Sequence, residues 1–151
     1  MAEENRRQSQ VNYTLFREAS ELDEYITWDY TQPGISFNIE SGRITIFKQT
    51  LVEMGYPEFF RFLFSPEETT FGIEPCGIDD GGAHRFPDKM LREHYNIKSK
   101  ELVRFVYDCC GWRKRLTYRI AGKRYAPDKG LVYFNLREAF EIHEGRLLEA
   151  R

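Results

Sequence analysis

Between Trp112 and Tyr125 six cations alternate with aromatic rings: Arg113, Lys114, Arg115, Arg119, Lys123 and Arg124, with Trp112, Tyr118 and Tyr125 between them. Cationic side chains neutralise phosphates and exposed rings stack on bases, so this mixture is the chemistry of nucleic-acid contact. On a strand, Arg119, Ala121 and Lys123 share one face, opposite Tyr118 and Ile120, so two of the charges aim at one backbone. The same residues also suit a solvated hairpin face. A protein partner is the second reading, because separated charge and abundant Tyr and Phe are what interfaces use.

Acid–base chemistry would need His84, His94 or His143 beside a carboxylate such as Asp79, Asp80, Asp88 or Glu93. No spacing among these residues forces a base and an acid together, and none matches a recognised metal-ligand pattern. No phosphate-binding glycine loop or nucleophile elbow is present. The expectation is a non-catalytic protein without cofactor or metal. The three cysteines include the adjacent pair Cys109 and Cys110, which is neither a Cys-x-x-Cys redox spacing nor a disulfide framework.

The chain of 151 residues is long enough for one core, and with 41% hydrophobic and 15% aromatic residues it is built to fold. Its net charge of −2 hides a polarity. Residues 1–75 carry 6 Lys/Arg against 13 Asp/Glu, a net of −7, and residues 76–151 carry 16 against 11, a net of +5. Residues 98–129 alone hold 10 against 3, a net of +7. An acidic and a basic surface follow, and the basic one is where an anionic partner would dock. No apolar run spans a bilayer and the N-terminus lacks a secretory apolar core, so the reading is cytoplasmic with no membrane partner.

These side chains must be positioned by short elements. Residues 13–30 carry a helical pattern through Leu15, Phe16, Ala19, Leu22 and Ile26. Ile35, Phe37 and Ile39, then Ile44 and Ile46, alternate as a hairpin. Residues 48–54 fit a short helix stopped by Gly55. Phe60, Phe62 and Phe64 line one face of a strand whose partner is residues 70–76. Residues 77–88 read as a long loop. Ser99 opens a helix over 100–110 that Gly111 stops. Residues 116–126 and 130–136 pair as a second hairpin. Asn135 with Glu138 resembles a capping box, so a last helix is expected over 136–145.

The division is an N-terminal helical arm over 1–34, a strand–helix–hairpin unit over 35–76, the 77–88 loop, and a helix–hairpin–helix unit over 89–151. The whole makes one compact α+β domain of two strand-rich halves with short helices. The stretch from Ser41 to Pro75 resembles the swapped-hairpin DNA-binding domain of AbrB-type bacterial transcription regulators. Gly42, Arg43, Ile44, Thr45, Ile46 and Lys48 match the family's opening strand, with Phe47 where the family has proline. Met54 and Gly55 stand at its helix end. The resemblance implies an interlaced homodimer that binds DNA, with Arg43 and Lys48 on phosphates. The second half resembles uncharacterised proteins of Gram-positive bacteria.

Overall fold

A computed structural model describes residues 28–86, 94–126, 130–143 and 146–149. Most of the helix expected over 13–30 lies outside the described residues. The first described strand, β1 (Gly34–Asn38), pairs antiparallel with β2 (Arg43–Ile46) through the register Ile35 to Ile46 and Phe37 to Ile44. Helix α1 (Lys48–Met54) follows and ends where Gly55 turns left-handed at φ 78, a conformation that glycine adopts without a Cβ clash. β3 (Phe59–Ser65) and β4 (Thr70–Pro75) form the next hairpin. All of these match the alternation and stop signals in the sequence.

The residues expected to form a bare loop include a two-residue strand, β5 (His84–Arg85), paired with β3 at Phe59 and Phe60. A strand that the sequence reading did not foresee, β6 (Tyr95–Lys98), pairs with β2. Helix α2 (Lys100–Cys110) ends at left-handed Gly111, φ 64. The long strand β7 (Thr117–Ala126) and β8 (Leu131–Asn135) make the second hairpin.

The last helix is not formed. Asn135 does cap a turn, its Oδ1 accepting from the Arg137 N–H at 3.1 Å, but only a single 3₁₀ turn results, Leu136–Glu138. The chain then enters β9 (Phe140–His143), which pairs with β7 and with β10 (Arg146–Glu149). A half-buried position beside β7 rewards strand alternation more than an isolated cap rewards a helix.

One antiparallel sheet results, in the order β5, β3, β4, β8, β7, β1, β2, β6, with β9 and β10 branching from β7. Strands of the two sequence halves alternate in it: β4 lies beside β8, β1 beside β7, and β2 beside β6. β7 is long enough to serve three ladders, with Thr117 to Arg119 pairing with β9 on one edge. Thr117 to Ala121 pair with β1, while Gly122 onward pairs with β8. At the crossover Gly122 leaves room for neighbouring side chains. A Cβ there would lie 2.5 Å from Phe134 Cε2 and 2.8 Å from Val132 Cγ1.

The sheet curls into a half-barrel until its far ends meet through side chains. Phe60 of β3 stacks on Phe86 at 4.0 Å, and Tyr95 of β6 stands edge-on to Phe86 at 5.3 Å. Val103, Val106 and Tyr107 of α2 join the inside together with Ile35, Phe37, Ile44, Phe71, Ile73, Ile120 and Phe134. Each fully buried Phe or Ile here contributes roughly 2–3 kcal/mol of transfer free energy. A second, smaller cluster of Trp28 and Phe47 covers the outer face of β1 and β7, against Ala121, Phe140 and Ile142. That is why Gly34 to Phe37 are all buried, where an ordinary one-sided strand would alternate. Among the described residues no helix is long and apolar enough to cross a membrane.

Candidate nucleic-acid interface

Cations far apart in sequence meet at one end of the sheet. Lys98 of β6 lies opposite Arg43 of β2, Arg43 opposite Asn38 of β1, and Asn38 opposite Thr117 of β7. Neighbouring strands are about 4.8 Å apart, so this rung brings Arg43 and Lys98 within about three strand spacings of the turn that carries Arg113, Lys114 and Arg115. Lys100 begins α2 beside them, its stem packed on Gly42, and Ser99 N–H donates to the Gly42 carbonyl at 2.8 Å. Arg43, Lys98, Lys100, Lys114 and Arg115 are all exposed, as is Arg104 one turn along α2 from Lys100. The acids Glu40 and Glu101 are exposed nearby in sequence.

The backbone under these cations is held firmly. Asn38 Nδ2 donates to Thr117 Oγ1 at 2.7 Å, and Asn38 Oδ1 accepts from the Ser41 N–H and hydroxyl at 2.9 and 2.8 Å. That ties the β1–β2 turn to the start of β7. Beneath the Arg113–Arg115 turn, Tyr107 donates its hydroxyl to the carbonyls of Phe37 and Leu116. Tyr118 accepts from the Arg113 N–H at 2.8 Å and donates to Glu141 Oε2 at 3.1 Å. Burial pushes both phenols above their ordinary pKa, so they stay protonated donors. The charged tips project from a rigid frame, which lowers the entropy lost when they are ordered on a partner.

Several residues expected in the interface lie elsewhere. Tyr118 is 1% exposed and stacks on half-buried Trp112 at 4.3 Å, with 10° between the rings. β7 turns Tyr118 inward, as it does Ile120, and Trp112 packs against the same core from the turn after α2. They are not available for stacking on bases. Arg119 is also not a surface cation. Its guanidinium lies 4.9 Å from the Phe47 ring and 5.5 Å from Trp28, and its Nε is buried with no hydrogen-bond partner. The ring faces supply the negative potential there. Arg124 pairs with Glu53 of α1 at 3.3 Å, and Arg113 Nε stands 4.0 Å from Glu141. Lys48, at the start of α1, and Lys123 and Tyr125, in the second half of β7, are exposed but lie toward the opposite end of the sheet.

Lys98 and Lys100 belong to the basic stretch 98–129, but nothing in the sequence singles them out as contact residues. Their own segment shows two lysines around Ser99. Only the β2–β6 pairing, across some fifty residues of chain, sets them beside Arg43.

Among the described residues, those considered for acid–base or metal chemistry do not assemble. His84 stacks on Phe60 at 5.3 Å, and burial lowers its pKa from 6.5. Asp80 is exposed and accepts from the Gly77 N–H at 2.7 Å. His94 stacks on Phe47 at 4.4 Å and on Tyr30 at 5.6 Å. Asp88 and Glu93, and the side chain of His143, lie outside the described residues. Among the described residues no three His, Cys, Asp or Glu side chains gather as metal ligands would. The Cys110 thiol is pushed up to about 11 by burial, so it is not a ready nucleophile. No protein-family model, curated protein or solved structure matches the chain.

Proposed function

We propose that this chain is a non-catalytic, DNA-binding regulatory protein whose contact surface is the basic end formed by Arg43, Lys98, Lys100, Lys114 and Arg115. The observation that carries the reading is the rung Lys98–Arg43–Asn38–Thr117. It gathers exposed cations from three separate segments on a hydrogen-bonded frame, and among the described residues none of those five cations forms an ion pair. A surface of this kind neutralises phosphates and releases their counterions. The likeness of the Gly42–Lys48 stretch to AbrB-type regulators leans the same way for Arg43, while Lys48, which it also implies, lies toward the opposite end of the sheet.

The test is fluorescence anisotropy of a labelled duplex at low salt. Binding should weaken as salt rises, with a slope of about −4 in log K against log salt for four or five phosphates neutralised. Replacing Arg43, Lys98, Lys114 and Arg115 by Gln should remove most of the affinity and flatten that slope. If the wild type shifts neither a duplex nor a single strand at low salt, the reading fails.

A further inference from the structure

On the outside of the half-barrel, away from the core, one register line crosses four strands. Lys123 of β7 lies opposite Tyr133 of β8, Tyr133 opposite Gly72 of β4, and Gly72 opposite Leu63 of β3. Tyr125 stands edge-on to Tyr133, ring centres 5.9 Å apart at 84°. It is 72% exposed, the most exposed large apolar side chain among the described residues. Gly72 contributes no side chain, so the middle of the face is a shallow dip walled by Leu63 and Leu131. A Cβ at Gly72 would lie 3.6 Å from Leu63 Cβ and 3.5 Å from Leu131 Cδ1.

Among the described residues the charge on this face is cationic or cancelled. The outward side of β7 offers Lys123 beside Tyr125 and no acid, Arg119 being held under Phe47 and Trp28. On the far strands Arg61 and Glu74 neutralise each other at 2.6 Å. The exposed acids Glu67 and Glu68 lie beyond the Ser65–Thr70 pair, at the tip of the β3–β4 turn. Among the described residues a polyanion therefore meets no acid along the Lys123 side.

We infer that this face stacks the unpaired bases of a single-stranded nucleic acid, with Tyr125 and Tyr133 beneath the bases and Lys123 on a phosphate. The inference rests on the nucleic-acid reading above and narrows its ligand. A ring on a strand offers its face to any base, and stacking of this kind is worth about 1–3 kcal/mol per base. A duplex has its base faces already occupied, so only an unpaired strand gains from the tyrosines. The basic end alone does not discriminate between the two forms.

The experiment compares a labelled oligothymidylate of about 20 nucleotides with a duplex of the same length. The readout is anisotropy at low salt, with the oligomeric state followed by light scattering. Tyr125→Ala should weaken single-strand binding about tenfold and leave duplex binding unchanged, and Tyr125→Phe should restore it. Tyr133→Ala should do the same, and its thermal melt separates lost stacking from lost fold. If Tyr125→Ala binds the single strand as the wild type does, while the Gln variants of the basic end do not, the inference falls and the DNA-binding reading stands. If the wild type binds neither probe, both fall. If the Tyr125 substitution instead dissociates a dimer, the face belongs to a second copy of the chain and the inference is overturned.

Discussion

Arg119 and His84 show how little a residue type says about its role. Arg119 belongs to the most basic stretch of the chain, yet it is held against Phe47 and Trp28, with its NH1 group 3.4 Å from the Tyr30 hydroxyl. His84 sits among acids in sequence, yet in space it lies on Phe60 and 5.2 Å from Phe62. Burial disfavours its imidazolium and holds its folded pKa below 6.5. The unfolded chain therefore binds the proton more tightly than the folded one. The stability that neutral His84 contributes is fully present above pH 6.5 and is lost as pH falls through the lower folded value. Denaturant midpoints for the wild type should drop between pH 7.5 and pH 5 by more than those of His84→Phe. Equal drops would assign the acid sensitivity to other groups.

At the scale of elements, β7 decides the architecture, because among the described strands it joins the β1–β2–β6 side of the sheet to the β3–β4–β8 side. Its passage between them depends on the space at Gly122, where Phe134 and Val132 crowd in from β8. Gly122→Ala should destabilise the protein by about 1–3 kcal/mol through overpacking. Pairing it with Phe134→Leu should cost less than the sum of the two single changes, since the smaller side chain yields the room that the new methyl needs. Urea unfolding of the four proteins in that cycle gives the coupling, and strict additivity would refute the crowding argument.

The hairpins and the two described α-helices were legible in sequence because their signals are local: alternation at Ile35–Phe37 and Ile44–Ile46, and glycine stops at Gly55 and Gly111. The 140–143 strand was not. Asn135 and Glu138 mimic a helix start, and what overrules them is a ladder to β7 that no local pattern announces. β6 escaped for the same reason, and with it the meeting of Lys98 and Arg43. The candidate surface was thus readable as a basic composition but not as an arrangement. Tyr118 went to the wrong side because alternation gives two faces without saying which one the core takes, whereas Arg119 does lie opposite Tyr118 and Ile120 but is covered there by Trp28 and Phe47.

For the molecule as a whole, the acidic and basic halves of the sequence do not fold into separate bodies. Their strands interleave, and what remains of the polarity is concentrated at the sheet end where β2 meets β6. Arg43 and Lys98 are directly opposite there, on the outward face, with Thr45 and Asn96 as the next outward pair, joined by a 2.6 Å hydrogen bond. Like charges facing each other across a ladder repel, so the free protein gives up some stability by keeping this pair. A polyanion lying over the pair would relieve the repulsion, which couples binding to stability. Lys98→Glu should therefore raise the melting temperature of the free protein and reduce its gain in stability on adding salt, because a repulsive pair becomes an attractive one. The same change should weaken nucleic-acid binding. Opposite signs for the two effects are what a surface kept for a ligand requires. A Lys98→Glu protein that melts lower and binds as well as the wild type would mean that this end of the sheet is held for the fold alone.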